Sequence, residues 1–419
     1  LRSAVMTFFS KHLLLPYLLA ALLPHAAKAK SHAPTGDLVL LNEYKTATCL
    51  DGSPGAYYIA ESTSGSSNWV ISLEGGGECV DLESCSDRAN TKYGSSNSYA
   101  STLQLTHTIQ STAATANPGF YDWNMVYVKY CSGDLHMGQQ DPAKDESTVG
   151  GGMYFSGHNI LAATIDSLTK NYNLTDSHSS TILWSGESAG GMGCFNSLDF
   201  VYDTFESALV VGVPVGGFYF SNEWVYGGTD ENPAIDYIPW AFGDLKDYLN
   251  LWDAYVPSRC AVARPDAPHE CLIAEGLYDS LAAPVFVVEA QTDEVVMPLH
   301  DGLPSVWAEA PYPCYNEVET CPQEILDYML LWQRNMTSFL SPLVSNDVPK
   351  KGNLLDGLFN PACLIHTSFS NTQPLIDSMH YAEAAAKWLE NPGDAKDKHL
   401  HFDECEGDTV MCNPSCETK

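Results

Sequence analysis

The chain has 419 residues, 45% of them hydrophobic, and its 20 Lys and Arg against 52 Asp and Glu give a formal net charge of −32. This apolar content excludes a disordered chain and is enough for a large buried core. The negative charge excludes nucleic acid as a partner, because nucleic-acid binding needs clustered Lys and Arg. It also disfavours polyanionic substrates, which the field of the whole protein would repel.

The first 29 residues have the pattern of a secretory signal peptide. Arg2 and Lys11 precede an apolar run at 13–23, and small residues follow at alternate positions in HAAKAK (25–30). The run is too short for a comfortable bilayer span, and no later stretch has about 18 consecutive apolar residues. We therefore expect residues 1–29 to be a signal peptide and the mature protein to be secreted or in the cell wall, without stable membrane insertion.

From residue 57 onward, short apolar runs alternate with helical patterns. Buried strands that alternate with helices predict a mostly parallel sheet flanked by helices, in a single α/β domain over residues 30–419. The first two runs flank a polar loop and are predicted to form a hairpin. The predicted strands are 57–60, 68–74, 124–130, 181–186, 208–215 and 284–290, and the predicted helices are 158–172, 192–205 and 322–340.

Two segments depart from this alternation. Residues 219–280 are rich in Trp, Tyr, Pro and Asp, which predicts an insertion that serves as a lid or substrate wall. The tail from residue 391 is polar and contains cysteines, and we expect it to be extended and pinned by disulfides.

Thirteen cysteines are typical of an oxidising compartment. An odd number leaves one thiol unpaired, and Cys194 is the candidate because it would lie on an apolar helix face. No C-x-x-C pair is present, so a zinc ribbon is not expected, and we predict no metal and no cofactor. Two N-x-S/T tripeptides make Asn173 and Asn335 candidate glycosylation sites. Close spacing predicts the disulfide pairs Cys79/Cys85, Cys260/Cys271 and Cys314/Cys321, and local staples among Cys405, Cys412 and Cys416.

The main catalytic candidate is Ser188, the central residue of the G-x-S-x-G motif at 186–190. A predicted strand precedes the motif and a predicted helix follows it, which is the context of a nucleophile on a tight strand-to-helix turn. The helix N-terminus would place the Ala189 N–H beside the reacting oxygen. A second glycine run, at 75–77, also follows a strand and could supply further N–H donors. Neither run matches a dinucleotide or phosphate loop.

The expected partners of the serine follow it in the chain, an acid first and then a histidine. Asp293 stands just beyond the apolar run at 284–288, with Glu289 and Glu294 as weaker alternatives. His366 follows a short apolar run, as a loop-borne base should, and is the first candidate for the base. The alternatives are His300, His380, His399 and His401.

Four blocks, at 47–59, 68–96, 123–134 and 183–201, together resemble the pectin acetylesterase/Notum family of secreted α/β-hydrolases. The resemblance implies an α/β-hydrolase fold and a serine esterase with Ser188 as nucleophile, His366 as general base and Asp293 as its orienting acid. It implies further roles for residues outside the triad. These are an oxyanion hole from the N–H groups of Gly76, Gly77 and Ala189, and disulfides that join Cys49 to Cys131 and Cys79 to Cys85.

Three positions depart from the family pattern. Glu78 stands directly after the glycine run, where an aromatic residue is usual, and Glu187 precedes the nucleophile, where plant members tend to have Cys. The segment at 215–219 begins with Val215 in place of an acid. Both glutamates are therefore candidate substrate-pocket residues.

A carboxylate at Glu78 disfavours an apolar tunnel for a long acyl chain, because burial of the carboxylate without a partner is costly. We therefore expect the protein to remove acetate from an O-acetylated polysaccharide, and we expect it to be a monomer. The alternatives are removal of a fatty acyl group from a secreted protein, as the Notum branch implies, and an inactive glycan-binding relative.

Overall fold

A computed structural model describes residues 33–140, 152–220, 242–300, 318–345, 348–370, 372–390, 399–407 and 409–416. The chain divides into residues 1–32 and 33–419, and the described residues all belong to the second unit. The predicted signal peptide lies outside the described residues. Within the described part of the chain, no helix is both long and apolar enough to cross a membrane.

The centre of the protein is a ten-stranded sheet in the order β10-β9-β8-β7-β6-β3-β5-β2-β1-β4. Every neighbouring pair from β10 to β5 is parallel, and the pairs from β5 to β4 are antiparallel. The predicted α/β architecture with a mostly parallel sheet is therefore confirmed. The strands are β1 (Thr35–Leu40), β2 (Ala56–Ala60), β3 (Trp69–Leu73), β4 (Thr102–Gln104), β5 (Asn124–Val128), β6 (Thr181–Glu187), β7 (Leu209–Val215), β8 (Phe286–Val288), β9 (Gly357–Asn360) and β10 (Leu400–Phe402).

Helices cover both faces of this sheet. Alternate residues of β6 explain why, since Trp184 packs into one apolar cluster and Leu183 into the other. Apolar residues of α2, α3 and α8 belong to the first cluster, and those of α9 belong to the second. The helices are α1 (Leu82–Ala89), α2 (Gly157–Asn171), α3 (Ala189–Thr204), α4 (Phe242–Trp252), α5 (Ser258–Ala263), α6 (Ala274–Leu277), α7 (Val296–Leu299), α8 (Gln323–Ser345) and α9 (Tyr381–Glu390).

The predicted hairpin between the first two apolar runs is wrong. Strand β5 lies between β2 and β3, antiparallel to β2 and parallel to β3. All five residues of β3 and of β5 are buried, so both strands occupy the middle of the sheet, where helices cover both faces. The polar loop after β2 is therefore a connection across β5 and not a turn between neighbours.

Five disulfides lie among the described residues. Cys321 is also disulfide-bonded, but its predicted partner Cys314 lies outside the described residues. Cys194 is a free, buried cysteine on α3, in agreement with the expected leftover thiol. Only one local bond forms within the tail trio, because Cys416 reaches back to Cys363 beyond β9. The bonds are Cys49–Cys131, Cys79–Cys85, Cys260–Cys271, Cys363–Cys416 and Cys405–Cys412.

The two irregular segments are partly described. Of the predicted insertion at 219–280, residues 221–241 lie outside the described residues. The remainder forms α4 to α6, and α6 packs against α3. Of the tail from 391, the first described part forms β10, which pairs parallel with β9 at the edge of the sheet. A lid or substrate-wall role for the insertion stays a prediction.

Candidate active site

Ser188 occupies a sharp turn between β6 and α3. Its φ of 55° and ψ of −123° lie in a region that a residue with a side chain rarely adopts. The turn is held on one side by the Ser188 N–H, which donates to the Val215 oxygen at 2.9 Å, and on the other by α3, which begins at Ala189. Strained backbone of this kind costs about 1–3 kcal/mol and persists where the surroundings enforce it.

Glycines make this turn possible through close backbone contacts. A Cβ added to Gly186 would lie 2.1 Å from the Gly190 oxygen, and one added to Gly190 would lie 2.1 Å from the Leu73 oxygen. A Cβ at Gly191 would lie 2.9 Å from Cα of Gly217. The G-x-S-x-G pattern is therefore required sterically, and the turn is locked against β3 and the segment after β7.

The glycine run at 75–77 lies directly beside this turn. A Cβ at Gly75 would lie 2.6 Å from the Glu187 oxygen and 3.1 Å from Cβ of Ser188. Gly76 and Gly77 have positive φ values of 141° and 66°, which allow their N–H groups to turn out of a regular strand. Among the described residues, the N–H groups of Gly76, Gly77 and Ala189 donate no hydrogen bond, so all three are available to a ligand.

Two charged side chains, those of Arg88 and Glu74, hold the backbone of the glycine run. The Arg88 guanidinium donates to the Gly76 oxygen at 2.8 Å, which holds that peptide in one orientation. Directly before the run, the Glu74 carboxylate pairs with Lys129 and accepts the Tyr130 N–H at 2.9 Å. Because Glu74 is buried, this pairing anchors the start of the run to β5.

Asp293 and His366 meet in a buried pair. His366 Nδ1 lies 2.7 Å from Asp293 Oδ2, and Asp293 Oδ1 accepts the N–H groups of Val295 and Val296, both at 2.8 Å. These bonds orient the imidazole so that its second nitrogen points away from the acid. Within the described residues, His366 Nε2 has no hydrogen-bond partner, so that atom is available to take a proton.

The alternative acids and histidines are not members of the hydrogen-bonded Asp293–His366 pair. Glu289 is buried, but it contacts the Phe218 N–H and not a histidine. The His300 ring packs edge-on against Tyr219, and burial, with a smaller contribution from His366, lowers the pKa of His300 to about 3. His380 lies at the start of α9, and His399 and His401 lie in the tail.

The segment after β7 links the serine and the histidine. Gly217 packs on Gly191, two residues into α3, and a Cβ at Gly216 would lie 2.8 Å from the His366 oxygen. The two glycines thus bring the turn that carries Ser188 and the loop that carries His366 to opposite sides of one short backbone stretch.

Tyr219 is a site residue that the sequence analysis did not assign. Burial, and then the charge of Asp293, raise the pKa of Tyr219 well above its usual range, whereas a side-chain hydrogen bond with Ser188 opposes the rise. The phenol is therefore neutral and lies beside Ser188. The available signal in the sequence was the aromatic residue at the end of the 215–219 segment.

Glu78 and Glu187 have different surroundings. Glu78 is half-buried next to the glycine run, and burial raises its pKa to about 7, with partial opposition from Arg88. Its charge also contributes to the raised pKa of Tyr219. Glu187 instead forms an ion pair with His107, whose Nδ1 lies 3.1 Å from Glu187 Oε2.

The remaining predicted residues lie away from this cluster. Asn173 is exposed just beyond α2, and Asn335 is half-buried within α8. In the described part of the chain, no group of three or more His, Cys, Asp or Glu side chains could hold a metal ion.

Comparison with known proteins places this chain in a family. The pectinacetylesterase family model matches residues 29–417. Pectin acetylesterase 5 of Arabidopsis thaliana is 28% identical over 414 residues, which cover 94% of this chain and 88% of that protein. The palmitoleoyl-protein carboxylesterase notum1a of Danio rerio is 26% identical over 396 residues, 90% of this chain and 71% of that protein. The corresponding notum1' of Xenopus laevis is 32% identical over 256 residues, 60% of this chain and 50% of that protein. Because the family match extends over nearly the whole chain, this chain belongs to the pectinacetylesterase family and is a carboxylic ester hydrolase.

Proposed function

We propose that the chain hydrolyses acyl esters with Ser188 as nucleophile, His366 as general base and Asp293 as the acid that orients it. The observation that carries this proposal is the buried 2.7 Å hydrogen bond between His366 and Asp293. Ser188 lies on a strained strand-to-helix turn, and Gly216 and Gly217 link this turn to the loop of His366. A serine hydroxyl is a weak nucleophile until a base of this kind removes its proton.

The reaction proceeds in two similar halves. His366 Nε2 takes the Ser188 proton as Oγ attacks the ester carbonyl, and the resulting imidazolium gives that proton to the departing alcohol. Water then attacks the acyl-enzyme with the same help, which releases the acid and restores the serine. Asp293 keeps the Nδ1 proton in place and stabilises the imidazolium.

The oxyanion of each tetrahedral intermediate lies against the glycine run. The N–H groups of Gly76, Gly77 and Ala189 are the donors, and their lack of protein partners among the described residues supports this assignment. Ala189 also begins α3, so the positive end of the helix dipole adds to the field. Loss of one such donor typically slows an acyl-transfer enzyme about 100- to 1,000-fold.

The acyl group that fits this site best is acetyl. Glu78 directly follows the glycine run and the Tyr219 phenol lies beside Ser188, and a long alkyl chain packed against these two polar groups would desolvate both without pairing them. We therefore propose an O-acetylated polysaccharide as substrate. The net charge of −32 favours a neutral glycan over anionic pectin.

Two other functions are the alternatives. The similarity to palmitoleoyl-protein carboxylesterases favours removal of a fatty acyl group from a secreted protein. A glycan-binding protein without activity would keep the fold and the disulfides but need none of the Ser188, His366 and Asp293 arrangement. We further propose that the protein is secreted and monomeric, with the five described disulfides formed in an oxidising compartment.

The test is hydrolysis of p-nitrophenyl acetate and p-nitrophenyl octanoate by the purified mature protein and by Ser188→Ala. Ser185→Ala is the matched control, because Ser185 lies on the same strand and its buried hydroxyl donates to the Val213 oxygen at 2.7 Å. We expect the wild type and Ser185→Ala to prefer acetate and Ser188→Ala to be inactive. Equal background rates for wild type and Ser188→Ala would refute the proposed esterase activity of Ser188 and favour the inactive glycan-binding protein. A preference for octanoate would favour the acyl-protein substrate.

Acetate release from O-acetylated polysaccharides then tests the substrate class. We expect a neutral O-acetylated glycan to be deacetylated faster than acetylated pectin at low ionic strength, because charge repulsion slows the encounter with a polyanion. The difference should shrink in high salt. A higher rate on pectin at low salt would contradict the charge argument.

A further inference from the structure

Glu289 is a buried carboxyl group that the proposed reaction does not use. It follows β8, and its side chain belongs to a residue that is only 1% exposed. Its backbone is fixed by β9, because the Glu289 N–H donates to the Phe359 oxygen at 3.0 Å and Asn360 Nδ2 donates to the Glu289 oxygen at 2.7 Å. The position of this carboxyl group is therefore set by the sheet.

The two oxygens of Glu289 have unlike surroundings. Oε2 accepts the Phe218 N–H at 2.9 Å, whereas Oε1 has no donor among the described residues although it is fully buried. No Lys or Arg in the described part of the chain forms an ion pair with Glu289. A buried carboxylate with one oxygen unsatisfied and no cation is costly.

The Glu289 carboxyl group lies near the acid of the proposed triad. Glu289 and Asp293 are both buried on the same loop, and their side chains are within hydrogen-bonding range of each other. Asp293 is already committed to His366 and to two backbone N–H groups as an acceptor. Two carboxyl groups can share a hydrogen bond only if one of them holds a proton, and these contacts leave Glu289 as the one that does.

We propose that Glu289 is a positioning residue whose neutral carboxyl group donates a hydrogen bond to Asp293 while its Oε2 accepts the Phe218 N–H. This inference rests on the proposed roles of Asp293 and His366. Burial, and then the charge of Asp293, raise the pKa of Glu289 well above its usual range, in agreement with a neutral group. The proton satisfies Oε1, which would otherwise be the orphan atom.

The neutral Glu289 carboxyl group contacts two parts of the site. Phe218 follows Gly216 and Gly217, which pack on His366 and on α3, so one carboxyl group fixes both the acid and the segment between base and nucleophile. The same segment begins at Val215, where the resembled family pattern has an acid. Glu289 supplies a carboxyl group to that segment from the neighbouring strand, since Val215 pairs with Val288.

The test compares Glu289→Gln with Glu289→Leu in the full-length mature protein. A glutamine can donate to Asp293 from its amide and accept the Phe218 N–H at its oxygen, whereas a leucine can do neither. We expect kcat on p-nitrophenyl acetate to fall less than about tenfold for Glu289→Gln and about 100-fold for Glu289→Leu, with KM little changed, because misplaced catalytic groups cost about this much. An equal loss in both variants would overturn the proposal.

An infrared difference spectrum of wild type against Glu289→Gln near neutral pH tests the protonation itself, without need of activity. We expect the C=O band of a protonated carboxylic acid in the wild type that the variant lacks, and absence of this band would overturn the proposal even if Glu289→Leu fails to fold. Because this readout does not depend on hydrolysis, it separates failure of the inference from failure of the proposed esterase site.

Asp356→Asn is the matched control, because Asp356 is also buried but pairs with Lys350 at 2.8 Å. We expect Asp356→Asn to lower the Tm, since it leaves the half-buried Lys350 without its counter-ion, whereas Glu289→Gln should not. A larger Tm loss for Glu289→Gln than for Asp356→Asn would show that Glu289 is ionised and would overturn the proposal.

Discussion

Replacement of Glu78 by glutamine should make the protein more stable, and the gain should grow with pH. Burial raises the pKa of Glu78 from 4.5 to about 7 in the folded state. A carboxyl group whose folded pKa is raised contributes stability below its unfolded pKa and loses it as the pH rises through the folded value. The wild type therefore loses stability between about pH 4.5 and about pH 7 and then levels off, whereas a glutamine does not titrate.

The size of this gain in stability follows from the difference between the folded and unfolded pKa values of Glu78. A rise in the Glu78 pKa from 4.5 to about 7, at about 1.36 kcal/mol per pKa unit, corresponds to about 3 kcal/mol of unfolding free energy. Glu78 is half-buried, so solvent screening makes this value an upper limit. Arg88 opposes the rise in the pKa, and its guanidinium remains in both proteins.

The assay is urea unfolding of wild type and Glu78→Gln at about pH 4.5, 6 and 8, with exposed Glu43→Gln as the matched control. We expect the variant to match the wild type at the lowest pH and to exceed it by up to about 3 kcal/mol at the highest. The control should show no such growth. A gain that is the same at every pH, or a wild type that is the more stable protein at pH 8, would refute the argument from burial.

Three further changes probe the reaction and the scaffold. Asp293→Asn should lower kcat about 10⁴-fold with little change in Tm, because the wrong His366 tautomer is then favoured; steady-state kinetics and calorimetry check this, and a kcat loss below tenfold would contradict it. Gly75→Ala should lower kcat/KM about 100-fold, because its Cβ would lie 2.6 Å from the backbone oxygen before the nucleophile; wild-type kinetics in this variant would show that the glycine run can move. Loss of the Cys363–Cys416 disulfide in a double serine variant should cost about 4 kcal/mol of unfolding free energy, since it closes a 53-residue loop; an unchanged urea midpoint would contradict this.

The fold could be predicted where local patterns decide the structure. The apolar runs that became β6 and β7, and the helical pattern that became α3, differ from the observed elements by at most three residues at either end. Strand order could not be predicted in the same way. The prediction of a hairpin between β2 and β3 was wrong because another strand, β5, lies between them in the sheet. That strand comes about 50 residues after β3 in the chain, so no local pattern indicates the pairing.

The same contrast between local patterns and contacts across strands applies to the candidate site. The serine motif and the chain order of acid and histidine are local signals, and the structure brings Asp293 and His366 into contact. Tyr219 and Glu289 act across strands, through contacts with Ser188 and with Phe218 that no spacing along the chain encodes. Sequence reasoning therefore identifies groups that a reaction needs but misses the groups that hold them in place.

The close backbone contacts around the nucleophile have a consequence for how this enzyme can diverge. In a saturation-mutagenesis library, positions such as Gly75, Gly190 and Gly191 should accept almost no replacement, since any Cβ would strike neighbouring backbone. Glu78 directly follows the glycine run and Tyr219 lies beside Ser188, and both side chains can be exchanged without movement of the turn. The architecture thus separates two kinds of position: exchange of Glu78 or Tyr219 would change only side chains, whereas replacement of these glycines would displace the main chain that holds Ser188.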